Sequence, residues 1–137
     1  MTGWIQRLGF VFSAGAAGGL ANSIAVWLFG AVGITKAVGV ALAPQLTAAW
    51  LYPRVVWGGL WGVLFLIPYL RSPLLLRGLV FSLGPTIIQL FVVFPYKANK
   101  GFLGLDLGLL TPLFVIIYNA VWGLTAVYLL HKTETKT

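Results

Sequence analysis

Apolar residues run along this chain in long blocks, and single charged residues separate the blocks. The blocks show neither the one-sided stripe of a surface helix nor the alternation of a strand. They read instead as helices that are apolar on all sides. They fall at residues 8–32, 55–70, 74–95 and 107–130. Crossing a hydrocarbon core takes roughly 20 residues of helix, so each block is a candidate span. The second holds only 16 residues, and its helix is expected to begin earlier. Before it lies a moderately apolar stretch, residues 34–52, interrupted by Pro44, Gln45 and Thr47. Proline in mid-helix breaks the hydrogen-bond ladder, which predicts a short interfacial or re-entrant helix there. A five-span alternative would make that stretch a full crossing and place Pro53 and Arg54 in the following turn. Residues 96–108 carry Lys97, Lys100 and Asp106 among three glycines and read as a true loop. The predicted fold class is therefore all-α: an integral membrane bundle of four transmembrane helices, with the short helix between the first and second, in one domain over residues 1–137.

Composition strengthens this reading. With 60% hydrophobic and 8% charged residues and a mean hydropathy of +0.98, the chain lies outside the range of soluble domains. The first block, at 25 residues, exceeds the apolar core of a signal peptide and is expected to be a retained span. The net charge of +7 comes from nine Lys and Arg against Asp106 and Glu134. These cations are scattered singly, which is not the clustered footprint of a nucleic-acid binder. In a four-span arrangement Arg7, Arg71, Arg77, Lys132 and Lys136 share one side, and Lys36, Arg54, Lys97 and Lys100 the other. Five against four places both termini in the cytoplasm of a bacterial-type inner membrane. Without cysteine there is no disulfide, thiolate metal site or thiol nucleophile.

Candidate chemistry is sparse. Gly15 and Gly19 in the first block and Gly58 and Gly62 in the second each stand four residues apart, a spacing that opens a helix-contact groove. Such grooves serve packing within the chain or contact with a partner subunit or a second copy. Asn22, Gln89 and Asn119 lie near the middle of three different blocks, within roughly 6 Å of the midplane at the helical rise per residue. Amides in hydrocarbon are expected to bond one another, as structural glue or as the lining of a polar pocket. Asn22 and Gln89 are offset to the same side and are expected to meet. Arg54, between Trp50 and Trp57, suits an anchor whose head snorkels to the surface, or a contact to an anion or lipid phosphate. Arg71 and Arg77 suit topology determinants that touch anionic lipid. The lone His131 and the isolated Asp106 and Glu134 offer no acid–base pair, nucleophile base, metal set or proton relay. The sequence thus points away from an enzyme, a bound cofactor and a proton-coupled exporter. Val56-Trp57-Gly58-Gly59-Leu60 is echoed by Val121-Trp122-Gly123-Leu124, a hint of related second and fourth blocks.

Arg7-Leu8 with Phe10, then Gly15 and the Asn22-Ser23 pair, then the aromatic-basic stretch from Trp50 to Trp57, resemble the GtrA-like small four-span proteins over about the first 60 residues. Tyr52-Pro53-Arg54-Val55 stands where that family carries Asn-Phe and paired basic residues. The resemblance implies a mover of polyprenyl-phosphate-linked sugars. The glutamate of small multidrug exporters and the motifs of fluoride channels are absent. Two functions follow as expectations. The first is a non-catalytic accessory or scaffold subunit of a larger membrane complex, with lipids and protein subunits or further copies as partners. The alternative is an oligomeric transporter, flippase or channel for a neutral or anionic lipid-linked substrate.

Overall fold

A computed structural model describes residues 3–68 and 73–135 of the chain. Every regular element among the described residues is a helix, with no strand. Three helices are long and apolar enough to cross a membrane: Trp4–Ala31, Leu74–Lys97 and Thr111–Thr133, of 28, 24 and 23 residues. The first, α1 (Trp4–Ala31), contains no proline and stops at Gly33, whose φ of +85° is a left-handed conformation that terminates a helix cheaply. Its final carbonyls are satisfied by the Val32 and Gly33 N–H groups, at 3.0 and 3.3 Å.

The stretch over residues 34–52 departs from the expected short interfacial or re-entrant helix. Only one turn, α2 (Ile34–Ala37), is helical before the chain extends through residues 38–47. Gly39, at φ +77°, turns the chain, and the Ala41 N–H then bonds the Leu107 carbonyl at 2.8 Å. The Thr35 hydroxyl donates to the Leu42 carbonyl at 3.0 Å, and Val40 is buried between α1 and the last helix. Proline at 44 cannot donate to a helical ladder, and the Ala41–Leu107 bond ties the segment to the loop beside it. Residues 48–52 belong to the next helix.

That helix, α3 (Ala48–Trp61), is capped by Thr47, whose hydroxyl accepts the Trp50 N–H at 3.2 Å. It tightens into a 3₁₀ segment, Gly62–Leu66. The two together rise about 31 Å at the usual 1.5 and 2.0 Å per residue. Pro53 and Arg54 lie inside this helix, not in a turn.

The third long helix is built in pieces: α4 (Leu74–Phe81), α5 (Leu83–Ile88) and a π-helical stretch, Gln89–Lys97. Pro85 and Pro95 both withhold an N–H, and the wider π turns accommodate the second ring where an α-helix would clash. A loop closed by the Lys100 N–H on Phe94 and the Asp106 N–H on Lys100, at 2.8 and 3.0 Å, leads to α6 (Thr111–Thr135).

Close backbone approach holds the bundle. Gly15 and Gly19 of α1 meet Gly58 of α3 and Gly62 of the 3₁₀ segment, and a Cβ on Gly58 would stand 2.7 Å from the Gly15 carbonyl oxygen. Gly18 seats Trp122 of α6, and Gly78 of α4 packs on Gly123 of α6. The Trp122 indole N–H is shared between the Gly15 and Gly58 carbonyls, at 3.1 and 3.2 Å, and so ties α1, α3 and α6 together. Helix α1 thus packs on α3 and α6, and α6 packs on α4 and α5, whereas α3 and the third long helix share no extended contact. The echo between residues 56–60 and 121–124 gives glycines at two different crossings and dissimilar tryptophans: Trp57 is 53% exposed and Trp122 only 3%.

Apolar clusters occupy both ends. Val11, Phe65, Phe81, Trp122 and Val127 fill one, while Val26, Val40, Phe114 and Tyr118, with the neighbouring Leu90, Phe94 and Val115, fill the other. A polar layer lies between them.

Candidate functional site

The polar layer starts from Asn22, which α1 presents toward the other helices one turn beyond the tight glycine contact at Gly18 and Gly19. Its amide donates to the Tyr118 carbonyl at 2.7 Å and to the Asn119 side-chain oxygen at 3.2 Å. Asn119 passes the network on, donating to the Thr86 hydroxyl at 3.0 Å and to the Gln89 side-chain oxygen at 3.4 Å. Thr86 in turn donates to the Ser82 carbonyl at 2.8 Å. Asn22 and Gln89 therefore meet through Asn119, which sits between them, rather than directly. Three helices are bridged by amides whose burial without partners would cost several kcal/mol each.

Arg54 completes the layer. Its Nη2 donates to the Asn22 Oδ1 at 2.7 Å and its Nε to the Ser23 hydroxyl at 2.9 Å, while Ser23 donates to the Gly19 carbonyl at 2.7 Å. The guanidinium lies over the Trp50 ring, 4.7 Å from its centroid. The snorkelling expectation is thus replaced by an inward one. The Gly19–Gly58 contact brings α3 so close to α1 that Arg54 reaches the α1 hydroxyl and amide directly.

These groups line one side of a cavity of about 160 Å³ between α3 and the third long helix, with Trp57, Trp61 and Gln89 on its walls. Its lining residues carry both donors and acceptors, and Arg54 and Gln89 have donors to spare. Two of the five Arg54 N–H bonds are used, and three remain. The Gln89 carboxamide accepts from Asn119 through its oxygen, which leaves its N–H groups for the cavity. The buried Trp61 indole N–H has no hydrogen-bond partner. No carboxylate bonds to Arg54 among the described residues, and Asp106 is exposed in the loop after the third long helix. A half-buried cation and an amide, with no carboxylate bonded to the cation among the described residues, make a cavity suited to an anion.

Of the other singled-out residues, Arg77 is held elsewhere. Its Nη2 donates to the Phe65 carbonyl at 2.7 Å and its head lies over the Phe65 and Phe81 rings. Arg71 lies outside the described residues. Gly15, Gly19, Gly58 and Gly62 lie together at the α1–α3 crossing. No group of His, Cys, Asp or Glu able to hold a metal occurs among the described residues. Thr86 and the unpartnered Trp61 N–H are the participants that sequence reasoning passed over. Thr86 carries a legible signal, since it stands three residues before Gln89 on the same helix face. Trp61 carries none, because a tryptophan in an apolar block gives no sign that its N–H will be buried without a partner. No protein-family model, curated protein or solved structure matches this chain.

Proposed function

We propose that the chain is a membrane carrier for an anionic, lipid-linked substrate, whose headgroup is held at Arg54, Gln89 and Trp61. The observation that carries this reading is Arg54, which lines the cavity and uses only two of its five N–H groups on Ser23 and Asn22. Ionisable groups at such depth are expensive in a membrane and mark substrate paths. In this reading Ala48–Leu66 is a fourth crossing, its rise of about 31 Å matching a hydrocarbon core of about 30 Å. Both termini then lie on one side, the cytoplasmic side of a bacterial-type inner membrane. The scarce contact between α3 and the third long helix supports a lateral slit, through which a lipid tail stays in the bilayer while its headgroup enters. The resemblance to movers of polyprenyl-phosphate-linked sugars points to the same substrate class. An accessory-subunit role draws less support, since the glycine grooves that would receive a partner are filled by the chain's own helices.

The test is transport. Vesicles containing the chain and a fluorescent prenyl phosphate are treated with a membrane-impermeant quencher. Carrier activity removes nearly all of the signal, and Arg54→Gln restores the half-protected signal of empty vesicles. Wild-type vesicles that protect half of the label would overturn the carrier reading.

A further inference from the structure

At one end of the bundle a second cavity, of about 90 Å³, opens where α1 begins, the 3₁₀ segment ends, α4 begins and α6 ends. Arg7, Arg77 and His131 line it, with Phe65, Leu74 and Leu130 as its apolar floor. Three basic side chains from three helices converge there although the sequence scatters its cations singly. They are 124 residues apart at most in sequence, so the meeting is a product of the fold. Arg77 is pre-set: the Phe65 carbonyl holds one Nη2 bond at 2.7 Å, and the Phe65 and Phe81 rings lie 5.5 and 5.1 Å from its guanidinium carbon. Such fixing lowers the side-chain entropy lost when a ligand binds. Along α1, Arg7 lies about 22 Å from Asn22, so this cavity is separate from the one at Arg54.

We infer that Arg7, Arg77 and His131 form a phosphate-binding site at this end of the bundle, with its apolar floor receiving the first carbons of a lipid chain. Guanidinium forks match phosphate oxygens in geometry and charge, and helix ends of a membrane bundle lie at the depth of lipid headgroups. The site does not depend on the function proposed for the Arg54 cavity.

The full chain in neutral detergent is titrated with dihexanoyl phosphatidic acid, and separately with sodium phosphate, followed by ³¹P resonance broadening. Saturable binding of the lipid is expected, weakened about fivefold by Arg7→Gln and further by Arg7→Gln with His131→Gln. Both residues are exposed, so the bundle stands in these variants. Arg54→Gln leaves this binding intact, which separates the two cavities. Sodium phosphate that competes at similar concentration assigns the site to soluble phosphate. Sodium phosphate that does not compete assigns it to a lipid headgroup. Lipid affinity unchanged in the double variant, or no saturable binding by the wild type, would overturn the inference.

Discussion

Gly58→Ala is the substitution for which the structure gives the clearest energetic forecast. A Cβ at this position would stand 2.7 Å from the Gly15 carbonyl oxygen, 2.8 Å from the Gly19 Cα and 3.1 Å from the Gly19 nitrogen. All three are backbone atoms of α1, so no rotamer change can relieve the clash. Ordinary contact begins near 3.5 Å, and α1 and α3 must part by about 0.7 Å along their crossing. Overpacking of this kind costs about 1–3 kcal/mol. Parting the helices also strains the shared Trp122 N–H, which sits between the Gly15 and Gly58 carbonyls at 3.1 and 3.2 Å. Losing one of those bonds adds about 1 kcal/mol, for a total near 3 kcal/mol. Gly9→Ala is the control, because nothing lies within 4 Å of its added carbon. The assay is reversible unfolding in mixed micelles of rising dodecyl sulfate content, read by circular dichroism. If Gly58→Ala stays within about 0.5 kcal/mol of wild type, the close α1–α3 crossing is wrong.

Three further outcomes follow from the polar layer and the α3 cap. Asn119→Leu removes the bridge between Asn22 and Gln89 and is expected to cost about 1–2 kcal/mol in the same unfolding assay, the upper range for polar contacts between membrane helices; a stabilised variant would show that the amides are not joined. Trp61→Phe keeps the ring and deletes a buried N–H that has no partner, so the bundle should be as stable as wild type or more so while prenyl phosphate affinity falls; an equal affinity would remove Trp61 from the site. Thr47→Ala deletes the acceptor of the Trp50 N–H, and hydrogen exchange at Trp50 should accelerate about fivefold, in line with a cap worth about 1 kcal/mol; unchanged exchange would show that the cap does not hold α3.

The helical class and the membrane-length blocks were legible because each is written in local composition. The long helices begin and end within a few residues of the apolar blocks at 8–32, 74–95 and 107–130. The segment after α1 was not legible. One of its bonds goes to Leu107, more than sixty residues away, and periodicity carries no trace of such a partner. The three amides stand out in sequence as polar residues within apolar blocks, and hydrogen bonds join them in the fold. Their order was not visible, because Asn119 takes the middle place through contacts between helices that are distant in sequence. Arg54 shows the same limit. Its aromatic neighbours in sequence suggested the surface, but the small glycine contacts one turn away pull α3 in and aim the guanidinium at Asn22 and Ser23. Sequence proximity located the residue, and backbone approach decided its direction.

The central claim is that Arg54 reads a lipid-linked negative charge inside the bundle, and the most direct measurement compares farnesyl phosphate with farnesol. Both are titrated into wild type, Arg54→Lys and Arg54→Gln in neutral detergent, with occupancy counted by intact mass spectrometry. The wild type is expected to prefer the phosphate by about tenfold or more, the scale of one charge-assisted bond of at least 1.4 kcal/mol. Arg54→Lys should keep part of that preference, and Arg54→Gln none. Equal binding of the two ligands by the wild type, or an undiminished preference in Arg54→Gln, would contradict the account.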